Sequence, residues 1–181
     1  EFVKHKLHID NKRNINIDEL CNKIKYWVFT KKCKCIWLDY VQVIKLSEKM
    51  MKMLGTKTEQ VGYVIDRLNE VSAICDVPII LLAQVNREAL KNGNKQPTLG
   101  NLRDSGSIEE RVYHVSFLHR PEYYGEQEYE GKSTENMMQI IVAKNGDGVN
   151  NEIVEVKHDL KYNRIMSMND YLTPFNSIDS E

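Results

Sequence analysis

The chain has no excess of either charge, no paired cysteines and no long apolar run, and each absence excludes a class of protein. Its 181 residues include 25 basic and 26 acidic side chains, so any contact with nucleic acid must come from a local patch. The four cysteines lack the Cys-x-x-Cys spacing of zinc or redox sites, which favours reduced thiols. No segment is apolar over the length that a membrane span or a secretory signal requires. We therefore expect a soluble, cytoplasmic protein that makes no membrane contact.

The chain also lacks a phosphate-binding loop. No segment has the pattern Gly-x-x-x-x-Gly-Lys followed by Ser or Thr, whose backbone N–H groups surround nucleotide phosphates. The sequence opens with Glu1-Phe2, without an initiator methionine, and runs directly into a strand-like segment. We therefore expect a fragment of a larger protein that does not bind a nucleotide tightly by itself.

Two apolar segments that each end in a polar side chain are the most informative feature present. The first, Cys35–Leu38, runs into Asp39, and the second, Val77–Ala83, runs into Gln84. Such strands, separated by helices, predict parallel βαβ units with both polar residues at one sheet edge. There a carboxylate can hold Mg²⁺ through water, and an amide can orient a terminal phosphate or its attacking water. In the alternative interpretation, Asp39 caps the next turn and the Gln84 amide satisfies loop backbone.

Helix and strand patterns extend along most of the chain. Helices are predicted to begin at Asn16 and at Thr56, where Thr56 and Glu59 match a capping box. Further strands are predicted at residues 4–10, 115–118, 137–143, 153–156 and 164–168. The predicted fold class is α/β, with a largely parallel central sheet flanked by helices and a C-terminal β-hairpin extension. Residues 173–181 are predicted to form a flexible tail.

Two further segments contain candidate phosphate-binding residues. Leu102–Glu109 combines Arg103 with Gly106 and two serines, a composition that can offer guanidinium and backbone N–H donors to phosphates. The alternative is a helix that starts near Ser107. Lys144 ends its strand beside a Gly-rich turn, from which it can reach a phosphate, and the alternative there is a solvated hairpin lysine.

In order and spacing, these segments resemble the C-terminal, RecA-like motor domain of DnaB-type replicative helicases. The matching segments are Trp37–Gln42, Val77–Arg87 and Leu102–Glu109, and the resemblance extends from about Lys4 to about Asp170. It implies a partial RecA-like motor domain over residues 1–172, without the part that contains the phosphate loop. For the intact parent, the family implies ATP hydrolysis, translocation on single-stranded DNA and unwinding of the duplex.

The resemblance also implies roles for individual residues. Asp39 would be the Walker B acid that coordinates Mg²⁺, directly or through water, and Gln84 would link the nucleotide site to the DNA-facing loops. Lys144 would correspond to the lysine that a neighbouring subunit directs at the terminal phosphate. The loop that follows the DNA strand would contain Arg103, Asp104 and Gly106. The cofactors and partners implied for the intact parent are ATP, Mg²⁺, single-stranded DNA, a homo-hexamer, primase and a helicase loader.

Two departures from the family pattern limit what this chain is expected to do. The Walker A loop and the catalytic glutamate are absent, so we expect no hydrolysis by this chain alone. Gly146 stands where the family has an arginine finger, a group that contributes roughly 10³- to 10⁵-fold in rate. One alternative is therefore a degenerate, non-catalytic helicase paralogue that binds DNA or a partner. Another is a RecA-like ATPase of the recombinase or clock-protein kind, against which residues 103–109 argue.

Overall fold

A computed structural model describes residues 7–85, 96–102 and 105–168, with the backbone alone for residues 105–107. The chain forms two compact units. The first unit consists of residues 1–84 and 106–111, and the second unit consists of residues 85–105 and 112–181. Arg103, Asp104 and the predicted tail at 173–181 lie outside the described residues.

The α-helices described in the first unit are α1 (Ile17–Phe29), α2 (Glu48–Met53), α3 (Lys57–Cys75) and α4 (Ser105–Arg111, in this unit from residue 106). The sequence predicts the starts of α1 and α3 but does not predict α2. The Asn16 side chain accepts a hydrogen bond from the N–H of Asp18 at the start of α1, and Thr56 and Glu59 form a capping box at the start of α3. The predicted helix starts are therefore confirmed.

Helices α1 and α3 pack against each other and contribute most of the core of the first unit. Their apolar residues recur at helical spacing, so one face of each helix is buried. The buried apolar side chains are Ile17, Leu20, Cys21 and Ile24 of α1 and Val61, Val64, Ile65, Leu68, Val71 and Cys75 of α3. Helix α4 is attached to α3, because Arg111 lies 3.0 Å from the Asp66 carboxylate and its carbonyl accepts a hydrogen bond from Asn69 at 2.9 Å.

A parallel strand pair lies in the same unit. Strands β1 (Ile36–Leu38) and β2 (Ile79–Leu81) pair in parallel, with Ile36 opposite Ile79 and Leu38 opposite Leu81. The chain between them contains α2 and α3 and forms the crossover connection that a parallel pair requires. The predicted strands before Asp39 and Gln84 are thus confirmed, although both are shorter than the apolar runs.

The strand predicted at residues 4–10 is wrong over its described part. Residues 7–10 have no regular structure, and the side chains of Leu7 and Ile9 are exposed. Alternation of polar and apolar residues makes a strand only where a neighbouring strand supplies hydrogen bonds. Here Asp10 instead accepts from the Lys12 N–H at 2.9 Å and pairs with the Lys23 ammonium.

The second unit is built on an antiparallel sheet. Its order is β3–β6–β7–β8, and a separate two-stranded ribbon pairs β4 with β5. The strands are β3 (His114–His119), β4 (Glu128–Tyr129), β5 (Lys132–Ser133), β6 (Met137–Asn145), β7 (Glu152–Asp159) and β8 (Arg164–Ser167). The predicted strands from residue 115 onward are confirmed, and the β6–β7 hairpin belongs to this sheet.

A largely parallel central sheet is not confirmed. Among the described residues, β1 and β2 pair in parallel, whereas every neighbouring pair of the four-stranded sheet is antiparallel. The connections at 146–151 and 160–163 are too short to carry the chain back along the sheet, so β6, β7 and β8 must alternate in direction. None of the helices described is long and apolar enough to cross a membrane.

Among the described residues of the second unit, four polar side chains are buried, namely those of His119, Thr134, Gln139 and His158. His119 stacks on Tyr124, and its Nε2 lies 3.6 Å from the Glu126 carboxylate. Burial lowers the pKa of His119 below the usual value for histidine, and Glu126 opposes this shift only in part. His119 is therefore neutral at neutral pH.

Candidate functional site

Asp39 immediately follows β1 and is fixed by backbone bonds on both sides. The N–H of Leu82 donates to the Leu38 carbonyl at 2.9 Å, and the Leu82 carbonyl accepts from the N–H of Val41 at 3.0 Å. Leu82, the residue after β2, is therefore bonded to the residues on either side of the Asp39-Tyr40 dipeptide, whose peptide bond is cis. The Asp39 side chain is exposed. The carboxylate thus lies at the carboxyl edge of the parallel pair, as predicted.

Gln84 lies three residues beyond β2 at the same edge and is held by a residue that sequence reasoning did not assign. The amide Nε2 of Gln42 donates to the Gln84 carbonyl at 3.5 Å, and the Gln84 N–H donates to Oε1 of Gln42 at 3.4 Å. Gln42 thus links the segment after Asp39 to the segment after β2. It occurs in the matched segment Trp37–Gln42, but nothing in its local pattern indicates a partner so distant in the chain.

A cleft of about 310 Å³ borders Asp39 within the first unit. Its walls include the aromatic side chains of Trp27, Trp37 and Tyr40. Nowhere in the described part of the chain do three or more His, Cys, Asp or Glu side chains form a group that could hold a metal ion. A single exposed carboxylate fits Mg²⁺, which binds through one or two carboxylates, several waters and substrate phosphates. Asp39 is therefore suited to a magnesium ion that a nucleotide brings with it.

Lys144 lies in the second unit, on β6 opposite Val115 of β3, where the strand runs into a tight turn. In that turn the N–H of Gly146 donates to the Tyr113 carbonyl at 3.1 Å. A Cβ atom at position 146 would overlap the Tyr113 ring and would lie 2.8 Å from its Cδ2 atom, well inside normal carbon contact. Gly146, at the predicted place of the arginine finger, therefore has the Tyr113 ring directly against it.

Tyr113 also contacts the next residue of the turn. A hydrogen bond between its hydroxyl and the Asp147 carboxylate, helped by partial burial, raises the pKa of Tyr113 above that of a free tyrosine. Sequence reasoning assigned no role to Tyr113 or to Asp147. The pattern of a Gly-rich hairpin indicates a turn but not which distant side chain packs on it.

The predicted DNA-facing loop is described only in part. Gly106 lies in α4, which begins at Ser105, and Ile108 of that helix is buried. The helix that the alternative interpretation places near Ser107 is therefore confirmed, at residues 105–111, and the DNA-binding role of Gly106 stays a prediction. Arg103 and Asp104 lie outside the described residues, so their role stays a prediction.

Residues 131–133 resemble the end of a phosphate loop in sequence, but their structure is not that of a phosphate loop. Gly131, Lys132 and Ser133 have the order that ends such a loop, but Gly131 has φ 74° in the turn between β4 and β5. A phosphate loop requires a strand before it and a helix directly after it. This segment is instead a two-stranded ribbon.

Residues 1–167 match the family described as DnaB-like helicase C-terminal domain. The chain belongs to this family. The parallel pair with Asp39 and Gln84 at one edge agrees with the resemblance drawn from the sequence, and the match covers nearly the whole chain.

Similar proteins are replicative helicases. A probable plasmid replicative DNA helicase of Chlamydia psittaci is 31% identical over 113 residues, which is 62% of this chain and 23% of that protein. The replicative DNA helicase DnaC of Bacillus subtilis (strain 168) is 30% identical over 142 residues, which is 78% of this chain and 30% of that protein. The DnaB-like chain thus spans less than a third of the length of these relatives.

Solved structures support the fold. A DnaB-like replicative helicase, described with its interactions with primase, has a TM-score of 0.74 and 24% identity, covering 89% of this chain and 37% of that chain. A solved ATPase domain has a TM-score of 0.71 and 24% identity, covering 85% of this chain and 52% of that one. The DnaB-like chain therefore shares the fold of these ATPase domains.

Proposed function

We propose that this chain is part of an ATP-driven replicative DNA helicase and that the edge after β1 and β2 forms part of its nucleotide site. The observation that carries the proposal is the joint placement of Asp39 and Gln84 at this edge, with Gln42 linking the two segments. In open α/β sheets, ligands bind beyond the carboxyl ends of parallel strands. Membership of the DnaB-like family supports ATP and Mg²⁺ as the ligands.

In this proposal each residue has a distinct task. Asp39 orients the waters of a magnesium ion, which neutralises phosphate charge when the nucleotide is bound. Gln84 transmits the state of the nucleotide site to the DNA-facing segment, since its backbone is tied to Gln42 and its side chain is exposed. Lys144 acts on the terminal phosphate in a neighbouring subunit. The DNA strand is followed by Arg103, Asp104 and Gly106.

The proposal extends to the partners of the complete protein. Single-stranded DNA is the proposed track and a homo-hexamer the proposed assembly. Primase and a helicase loader are proposed partners, and the primase interaction described for a solved relative supports the first of them. This chain alone is not expected to hydrolyse ATP, because no segment has the pattern of a phosphate loop.

The test is a pair of Asp-to-Asn substitutions in the complete protein that contains this chain. Asp39→Asn should lower magnesium-dependent ATP hydrolysis roughly 10- to 100-fold, the usual loss when a group that orients a metal is removed. Asp76→Asn is the matched control, because Asp76 is also exposed but lies in a left-handed conformation at the end of α3 that asparagine tolerates. Equal losses in both variants would refute a metal role for Asp39.

A second candidate function is a non-catalytic paralogue that binds DNA or a partner. The Tyr113 ring packed on Gly146 favours it, because this turn has no side chain at the predicted finger position. Filter binding of single-stranded DNA by the complete protein, measured together with hydrolysis, separates the two candidates. DNA binding without hydrolysis would select the paralogue.

A further inference from the structure

Tyr113 holds the turn after β6 through two contacts. The Tyr113 carbonyl accepts from the Gly146 N–H, and its ring lies where a Cβ atom at position 146 would be. Tyr113 directly precedes β3, and its neighbour His114 is paired with Asn145. The tyrosine therefore packs on the turn from the adjacent strand of the same sheet.

The Tyr113 ring takes the space that a side chain at position 146 would need. Any residue other than glycine would place its Cβ against the far end of the ring. Because Tyr113 is 61% exposed, the ring can swing into solvent, and a substitution at Gly146 is expected to displace the tyrosine rather than unfold the sheet. The displaced tyrosine would lose its ring packing on the turn.

We propose that Tyr113 is the positioning residue of this turn and that its ring competes with an arginine for the space at position 146. The inference rests on the proposed function for the role of the turn beside a neighbouring nucleotide, but the packing itself does not depend on that function. Tyr113 and Gly146 then form a matched pair. Changing Gly146 alone is not expected to restore an arginine finger, because the displaced ring stays beside the turn and competes with the guanidinium for the same space.

The packing is tested by a double-mutant cycle of thermal unfolding with Gly146→Ala, Tyr113→Ala and both together. Gly146→Ala should lower the unfolding midpoint in the parent background, where the new methyl meets the ring. In the Tyr113→Ala background, where that space is open, Gly146→Ala should lower the unfolding midpoint less. Tyr162→Phe is the matched control, since Tyr162 is 62% exposed in the same unit and lies in the turn before β8. Equal shifts in the two backgrounds would overturn the proposal.

The competition with arginine is tested by hydrolysis in the complete protein. Gly146→Arg alone should give no gain in kcat, and Tyr113→Phe with Gly146→Arg should give none, because the ring remains. Tyr113→Ser with Gly146→Arg should raise kcat by about tenfold or more, a small part of the roughly 10³- to 10⁵-fold effect of an aligned finger. A gain from Gly146→Arg alone that equals the gain of the double variant would overturn the proposal. If the parent protein does not hydrolyse ATP, the proposed function fails, and the unfolding cycle alone decides the inference.

Discussion

Replacing Gln42 with alanine should free the segment that carries Gln84 while leaving the strand pair intact. The two hydrogen bonds between Gln42 and Gln84 measure 3.4 and 3.5 Å, at the long end of the usual range, and both residues are partly or fully exposed. Each bond is therefore worth about 0.5 kcal/mol, the low end of the net range for a hydrogen bond. Their joint loss should raise the local opening equilibrium at Gln84 by roughly 2- to 10-fold.

Amide hydrogen exchange of the ¹⁵N-labelled chain measures this opening directly. In Gln42→Ala, the Gln84 amide should exchange roughly 2- to 10-fold faster. The amide of Leu82 should be unchanged, because it donates at 2.9 Å to the Leu38 backbone rather than to a side chain. Gln60→Ala is the matched control, since the Gln60 amide also bonds to backbone carbonyls of the first unit, those of Met51 and Leu54.

Two outcomes would refute the reasoning on Gln42. An unchanged Gln84 amide would mean that the side chain does not hold this segment. Equal acceleration at Gln84 and Leu82 would mean that the substitution weakens the whole strand pair. If the expected pattern is found, Gln42→Ala in the complete protein should also weaken the coupling between nucleotide and DNA binding, because the Gln84 segment is no longer fixed to the segment after Asp39.

Two further predictions address the DNA-facing loop and the second unit. Arg103→Ala should weaken binding of single-stranded DNA and reduce the slope of log affinity against log salt by about 0.7, whereas Arg13→Ala, outside that loop, should leave the slope unchanged in the same titration. For His119, the folded-state pKa is lowered by burial, so the unfolded state binds the proton more readily and stability is lost as the pH falls below about 6.5. His119→Gln should therefore reduce the difference in unfolding midpoint between about pH 7.5 and about pH 5.5, and an unreduced difference would assign the acid sensitivity to other groups.

The sequence was sufficient where structure is decided locally. The Thr56 and Glu59 capping box is a contact between residues three apart, and the pattern that predicts it also forms it. The strand before Asp39 is also recognised locally, as a short apolar run that ends at a carboxylate, although Ile36 is its one buried side chain and Trp37 is exposed.

The sequence was insufficient where distant segments decide the outcome. The alternating pattern at residues 7–10 is as strand-like as that of β3, but no neighbouring strand pairs with it among the described residues. The sequence predicts the β6–β7 hairpin, but the pairing of β3 with β6 joins strands that residues 120–136 separate, and no local pattern predicts it. The contacts of Gln42 with Gln84, and of Tyr113 with Gly146, join residues far apart in the chain that no local periodicity relates.

These distant contacts change what the glycine at position 146 means. From the sequence, Gly146 is a missing arginine, and the loss is a simple deletion that one substitution would reverse. With the Tyr113 ring against its Cα, Gly146 is instead one half of a packed pair, and the tyrosine opposes the simple reversal. Asp39 and Gln84 have no such obstruction, since both are exposed at the edge where family members are expected to bind nucleotide. The two parts of the proposed machinery therefore differ: the edge proposed to orient magnesium leaves Asp39 and Gln84 exposed, whereas the turn proposed for the finger has the Tyr113 ring packed on it.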